Sequence, residues 1–195
     1  MFDPNPTDLK ARLRKEALAR RDALSALFRA EASRAASERL LALPELRDLQ
    51  PVGGFWPIRS EIDVRPAMEE FHRRGQAVCL PVLARPAMIF RTWRPGDAMV
   101  RVGFGLSEPL PEAQEVFPRA LVVPLAAFDR EGGRLGYGKG HFDTAIVVLE
   151  RRHPVLTIGV AFSGQEIAKV PLEAHDRRMD LIVTETELIR TLPSS

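Results

Sequence analysis

Residues 119–143 read RALVVPLAAFDREGGRLGYGKGHFD. The first ten are almost unbroken apolar residues rich in valine and leucine, too short for a buried helix and lacking the alternation of a half-solvated strand. They predict a strand covered on both faces. Among the next fifteen, the eight residues 133–140 hold four glycines, Gly133, Gly136, Gly138 and Gly140, and the helix-forming run that follows predicts a helix over about 142–152. The strand VLTIGVAF comes next and DLIVTE is expected as the last strand. Apolar strands alternating with helices predict an α/β fold, a layered and mostly parallel sheet with helices on both faces.

Upstream, VGGFWPI and QAVCLPVL predict buried strands and MIFRTW another, while RPAMEEFHRRG predicts a short helix with Pro66 in its first turn and Gly75 closing it. Thr7 is a suitable N-cap for the helix-rich segment that follows, which divides into two helices near Ala32 or Ser33 and stops at Pro44. Residues 94–117 carry so many prolines and glycines that a surface loop is expected. The chain of 195 residues thus predicts one domain, 1–195, with an N-terminal helical arm over about 7–43.

Composition excludes several classes of function. The formal net charge is only +2, because arginines are nearly balanced by acids, so no nucleic acid partner is expected. The longest apolar runs are too short to span a bilayer, and the first residues lack the apolar centre of a secretory signal. A single cysteine, Cys79, inside an apolar run, reads as a buried structural thiol. A cytoplasmic protein, monomeric and acting on small molecules, is the expectation.

The glycine segment carries the chemistry. From Gly133 it spells G-x-x-x-x-G-K, but Gly140 stands where a nucleotide-binding P-loop places its metal-holding hydroxyl, and DREG separates the loop from its strand. A dinucleotide fingerprint fails too, for want of the third glycine. Glycines still let backbone amides approach an anion, Arg134 and Lys139 add charge, and the following helix directs its positive end to the same spot. A phosphate site built in another way is expected, against the plainer alternative of a basic surface turn. Asp143 is the nearest carboxylate for a magnesium ion, which takes one or two carboxylates beside phosphate oxygens, or else an ordinary first-turn acid.

AFDREGGRLGYGKGHFD, FWPIRSEIDVRP and VPLEAHDRRMDLIVTE, in their order along the chain, resemble the 5-formyltetrahydrofolate cyclo-ligase family, whose fold is akin to that of sugar-phosphate isomerases and CoA-transferases. The resemblance runs from Lys10 to the final strand. It implies an ATP- and magnesium-dependent ligase of folate metabolism that turns 5-formyltetrahydrofolate into 5,10-methenyltetrahydrofolate through phosphorylation of the formyl oxygen and ring closure, with release of ADP and phosphate. Residue by residue it implies that Arg134, Leu135, Gly136, Tyr137, Gly138, Lys139, Gly140, His141 and Phe142 wrap the ATP phosphates. Lys139 and Arg134 would be the catalytic cations. Lys10 and Arg14, one helical turn apart, would reach the nucleotide, where composition alone suggests solvated charges.

The resemblance further implies that Glu61 binds the pterin, with Trp56 and Tyr137 as substrate contacts; read alone, Glu61 is a candidate helix cap and Trp56 a core residue. Asp176 would be a second metal-side carboxylate, or a loop acid paired with Arg177 or Arg178, and His175 is expected to be a loop histidine without a chemical step. Two positions depart from the family pattern. His141 replaces an aromatic residue, commonly tyrosine, and Thr144 stands where an arginine often follows the aspartate. A sugar-phosphate isomerase or acyl-CoA transferase would need no nucleotide loop, and an RNA-associated protein would need a stacking series of aromatics that is missing. A folate binder that has lost turnover is the remaining alternative, on the strength of His141 alone.

Overall fold

The computed structural model describes residues 6–85, 87–173 and 176–191. The helices are α1 (Pro6–Asp22), α2 (Ala26–Ala42), α3 (Arg65–Arg73) and α4 (His141–Glu150). In chain order the strands are β1 (Val52–Gly53), β2 (Val78–Val82), β3 (Ile89–Thr92), β4 (Met99–Arg101), β5 (Ser107–Pro109) and β6 (Glu115–Val116), then β7 (Ala120–Pro124), β8 (Ala127–Phe128), β9 (Arg134–Leu135), β10 (Leu156–Val160), β11 (Leu181–Val183) and β12 (Leu188–Arg190). Eight of them form one sheet in the order β12-β11-β10-β7-β1-β2-β3-β6. The five from β11 to β2 run parallel, and the outer three pair antiparallel.

Alternation along β7 shows why this sheet reads as apolar throughout. Ala120 and Val122 face a core shared with Leu40 of α2 and Phe71 of α3, whereas Leu121 and Val123 face Ile146 and Leu149 of α4. Both faces are dry, so neither carries polar residues. The chain steps from β1 to β2 through α3 and in the opposite direction from β7 to β10 through α4. Right-handed crossovers that proceed in opposite directions place their helices on opposite faces. The sheet therefore reverses between β1 and β7, and a crevice opens at the carboxyl ends of those strands.

The helical arm divides at 23–25 rather than near Ala32 or Ser33, both of which are buried inside α2. Ser25 is the physical reason: its hydroxyl accepts the Phe28 N–H at 3.1 Å and caps the new helix. Thr7, expected as an N-cap, lies within the first turn of α1 instead. Pro44 does stop the arm, opening a short 3-10 turn after α2 ends at Ala42. α3 has Pro66 in its first turn and Gly75 beyond its end at φ 86°, as expected.

Of VGGFWPI, only Val52 and Gly53 are strand; Phe55 to Ile58 leave the sheet and turn toward the crevice. Residues 94–117 are not one surface loop, because β4 and β5 form a hairpin there and β6 extends the main sheet beyond β3. α4 starts at His141, one residue earlier than expected, and DLIVTE is followed by an additional edge strand, β12. Among the described residues no helix is long and apolar enough to cross a membrane. Cys79 is fully buried, and burial pushes its thiol far up from the ordinary range, which suits a core residue.

Candidate active site

A cleft of about 440 Å³ lies over the carboxyl ends of β1, β2 and β7. Its floor is Phe55 and Trp56 beyond β1, Pro81 and Leu83 at the end of β2, and Val123 and Pro124 of β7. The glycine segment forms one wall and the start of α1 another. Every residue expected at the site lines it: Lys10, Arg14, Trp56, Glu61, Arg134 through Phe142, Asp143 and Asp176. His175 lies outside the described residues.

Backbone conformation favours glycine in this wall: Gly138 has φ 85°, in the left-handed region. Gly140, at φ 66°, caps α4 in the left-handed region without a side-chain bond, leaving the first amides of that helix directed at the cleft. Arg14 Nε donates to the Gly136 carbonyl at 2.6 Å, so α1 holds the loop by its backbone. Lys139 is exposed within the cleft and has no ion-pair partner among the described residues.

Lys10 and Arg134 are engaged with carboxylates. Lys10 Nζ donates to Glu173 at 2.5 Å and to Asp176 at 2.6 Å. Burial alone would lower the ammonium's pKa, but those two acids outweigh it and the net displacement is upward. Arg134, with a side chain only 5% exposed, donates from Nη2 to Asp143 at 2.8 Å and from Nη1 to the Arg177 carbonyl. Asp143 Oδ1 also accepts the Arg177 N–H at 3.1 Å. Arg134 therefore ties the loop to the segment after Asp176 as well as facing the cleft. Asp176 pairs with Lys10 rather than with Arg177 or Arg178, whose ion pairs are with Glu150 and Glu131.

At the opposite end, Glu61 closes a turn in which its Oε2 accepts the Ile58 N–H at 2.8 Å. It caps nothing in α3. Burial pushes its carboxyl up from the ordinary value, opposed by the Ile58 hydrogen bond, the Arg21 charge and the Tyr137 hydroxyl. Trp56 is half-buried, edge-on to Trp93 at 6.4 Å between centroids, with the Arg65 guanidinium 5.2 Å over its ring. It is held like a core residue on one side and presents its other side to the cleft. Glu173 and Leu83 were not foreseen as lining; nothing in a proline-flanked acid or an apolar strand end distinguishes them before the chain folds.

The sequence pattern that defines the 5-formyltetrahydrofolate cyclo-ligase family matches residues 6–185. The chain belongs to that family. Among its relatives, the 5-formyltetrahydrofolate cyclo-ligase of Escherichia coli K12 is 28% identical over 176 residues, covering 87% of this chain and 96% of that protein. That of Haemophilus influenzae is 27% identical over 177 residues, covering 87% and 94%. The solution structure of Aquifex aeolicus 5,10-methenyltetrahydrofolate synthetase superposes with a TM-score of 0.82 at 32% identity, over 96% of this chain and 95% of that one. The Aquifex protein shares the mostly parallel mixed sheet described above, and open sheets of this kind bind ligands at the carboxyl ends of strands where the order reverses.

Proposed function

We propose that the protein converts 5-formyltetrahydrofolate to 5,10-methenyltetrahydrofolate with consumption of ATP. The observation that carries this reading is the arrangement of one cleft, with a glycine-lined, cation-rich anion site at one end and a buried-side carboxylate beside aromatic surface at the other. Phosphates and a pterin make those two demands. The formyl oxygen attacks the terminal phosphorus of ATP, the bond to ADP breaks, and an imidate phosphate results. The neighbouring folate nitrogen then adds to the activated carbon and loses its proton, and the carbon–oxygen bond breaks to release phosphate. No protein nucleophile is needed, so the chain's contribution is alignment and charge compensation.

In this reading Lys139 and the amides of 136–142 meet the terminal phosphates, with Lys10, Arg14 and Arg134 supporting them. Four basic side chains and four carboxylates line the cleft, so a bare triphosphate would face as much repulsion as attraction. A magnesium-loaded one would not. Asp143 and Asp176 would hold that ion in exchange for their pairings with Arg134 and Lys10: both line the cleft, and magnesium usually takes one or two carboxylates from the protein and the rest from phosphate and water. When bound, magnesium would offset the charge of the phosphates. Glu61 would accept hydrogen bonds from the aminopyrimidine edge of the pterin, with Trp56 and Tyr137 against its ring. His141, exposed at the start of α4, can donate to a phosphate.

We also read the chain as a single-domain, cytoplasmic monomer of the sugar-phosphate isomerase and CoA-transferase kind of fold, supported by the parallel five-stranded centre. Labelling tests the mechanism. With oxygen-18 in the formyl group, the label is expected in the released phosphate; label retained in folate or found in water would contradict phosphorylation of that oxygen.

A further inference from the structure

The last turn of α1 holds two arginines, and the second, Arg21, is only 2% exposed although it does not line the cleft. A buried guanidinium usually has a carboxylate directly against it, because desolvation otherwise outweighs its attractions. Among the described residues Arg21 has only a long ion pair. Asp22 stands 3.7 Å away and is itself largely exposed, and it is joined to Arg21 mainly through Ser60. Arg21 Nε donates to the Ser60 hydroxyl at 3.0 Å, and Ser60 donates onward to the Asp22 carboxylate. Arg21 Nη2 donates to the Tyr137 hydroxyl at 2.9 Å, while its Ser60 contact lies one residue before Glu61.

Three segments distant in sequence meet at this one side chain: the end of α1, the turn at 58–61, and the glycine loop. We infer that Arg21 is a positioning residue for the folate end of the cleft, holding Ser60 and Tyr137 at once and so fixing where Glu61 faces the substrate. The inference rests on the reading of Glu61 as the carboxylate that binds folate. The groups facing Glu61 are Tyr137 from the loop, Arg21 from α1 and Arg59 from its own turn, with Asp22 behind Ser60. Arg21 and Arg59 favour its charged form. Arg59 has φ 54°, a left-handed residue that is not glycine, so the turn bearing Glu61 is held against its own backbone preference.

The test compares Arg21→Met, Arg21→Lys, Tyr137→Phe and Glu61→Gln in the full chain. The readouts are KM for 5-formyltetrahydrofolate and for ATP, kcat, folate affinity across pH, and melting temperature. Arg21→Met is expected to raise the folate KM about tenfold, leave the ATP KM unchanged, and move the acid limb of folate affinity to higher pH, since a charge favouring ionised Glu61 is gone. Arg21→Lys keeps the charge but not the fork, so the limb stays in place while the KM still rises. In a Tyr137→Phe background the Arg21→Met effect shrinks, because the tether is already cut.

A folded Arg21→Met protein with wild-type folate KM and pH limb overturns the inference, as do Arg21→Met and Tyr137→Phe effects that simply multiply. Should Arg21→Met fail to fold, wild-type folate KM in both Arg21→Lys and Tyr137→Phe overturns it equally. Glu61→Gln binding folate as tightly as wild type would instead overturn the reading of Glu61 itself.

Discussion

Replacing Lys139 with alanine is expected to lower kcat/KM for ATP by about 10²–10³, the usual loss when one charge-stabilising donor is removed from a transition state. The reason is specific to its setting. Lys10 is bonded to two carboxylates and Arg134 to a third, so their charge is partly committed before any ligand arrives. Lys139 stands exposed on the glycine loop without such a partner among the described residues. For the same reason the fold should tolerate its loss: exposed substitutions away from special features stay within about 0.5 kcal/mol. Steady-state kinetics with ATP varied, beside a titration of 5-formyltetrahydrofolate without nucleotide, check this. Folate affinity should be unchanged, and a parallel fall in both would remove Lys139 from the nucleotide end.

Glu61→Gln is the complementary case, expected to weaken folate binding by about 10–100-fold, since a charge-assisted pairing with buried donors contributes roughly 1.5–3 kcal/mol. ATP binding should persist. Because burial raises the Glu61 pKa in the ligand-free protein, wild-type folate affinity falls as pH drops through that raised value. Folate stabilises the carboxylate, so binding in that window releases protons to the buffer, and Glu61→Gln should abolish the release. Stability moves the other way. A carboxyl whose pKa is raised by folding favours the fold most below its unfolded pKa, and that advantage is lost as pH rises through the folded value. At neutral pH the ionised, half-buried Glu61 is therefore a net cost, and Glu61→Gln should melt no lower than wild type while binding folate worse. A lower melting temperature with unchanged folate affinity would make Glu61 structural.

These two ends of the cleft differ in how much of them the sequence discloses. The loop at 133–140 is legible because its glycines and cations are adjacent in the chain, and the unbroken apolar run of β7 is legible because both of its faces are dry. The resemblance supplies Lys10, Arg14, Glu61 and Asp176, and the fold brings all four to one cleft. Arg21 is invisible beforehand. It is one of several arginines on a helix of low apolar content, and only the packing of α1 over the turn at 58–61 and the loop buries it. Glu173 as partner to Lys10 has the same origin in contacts across more than 160 residues.

The misplaced elements have local causes. The arm divides at Ser25 because a single capping hydroxyl outweighs the continuous helix propensity around it, whereas Ala32 and Ser33 are small because α2 packs them inward. Strands β4, β5, β6 and β12 are two or three residues long, and pairing partners rather than propensity create them. VGGFWPI is shortened for a functional reason: the segment that leaves the sheet after Gly53 carries Trp56 and Glu61 to the cleft.

One measurement bears most directly on the proposed reaction. The purified protein is mixed with 5-formyltetrahydrofolate, with and without magnesium and ATP, and near-ultraviolet absorbance is followed, because the conjugated methenyl product absorbs where the substrate does not. A rise that requires ATP, and whose rate at limiting ATP falls by about 10²–10³ in Lys139→Ala, is the expected result. A flat trace from folded protein that still binds both ligands would contradict ring closure and leave a folate and nucleotide binder, with His141→Tyr as the first variant to assay.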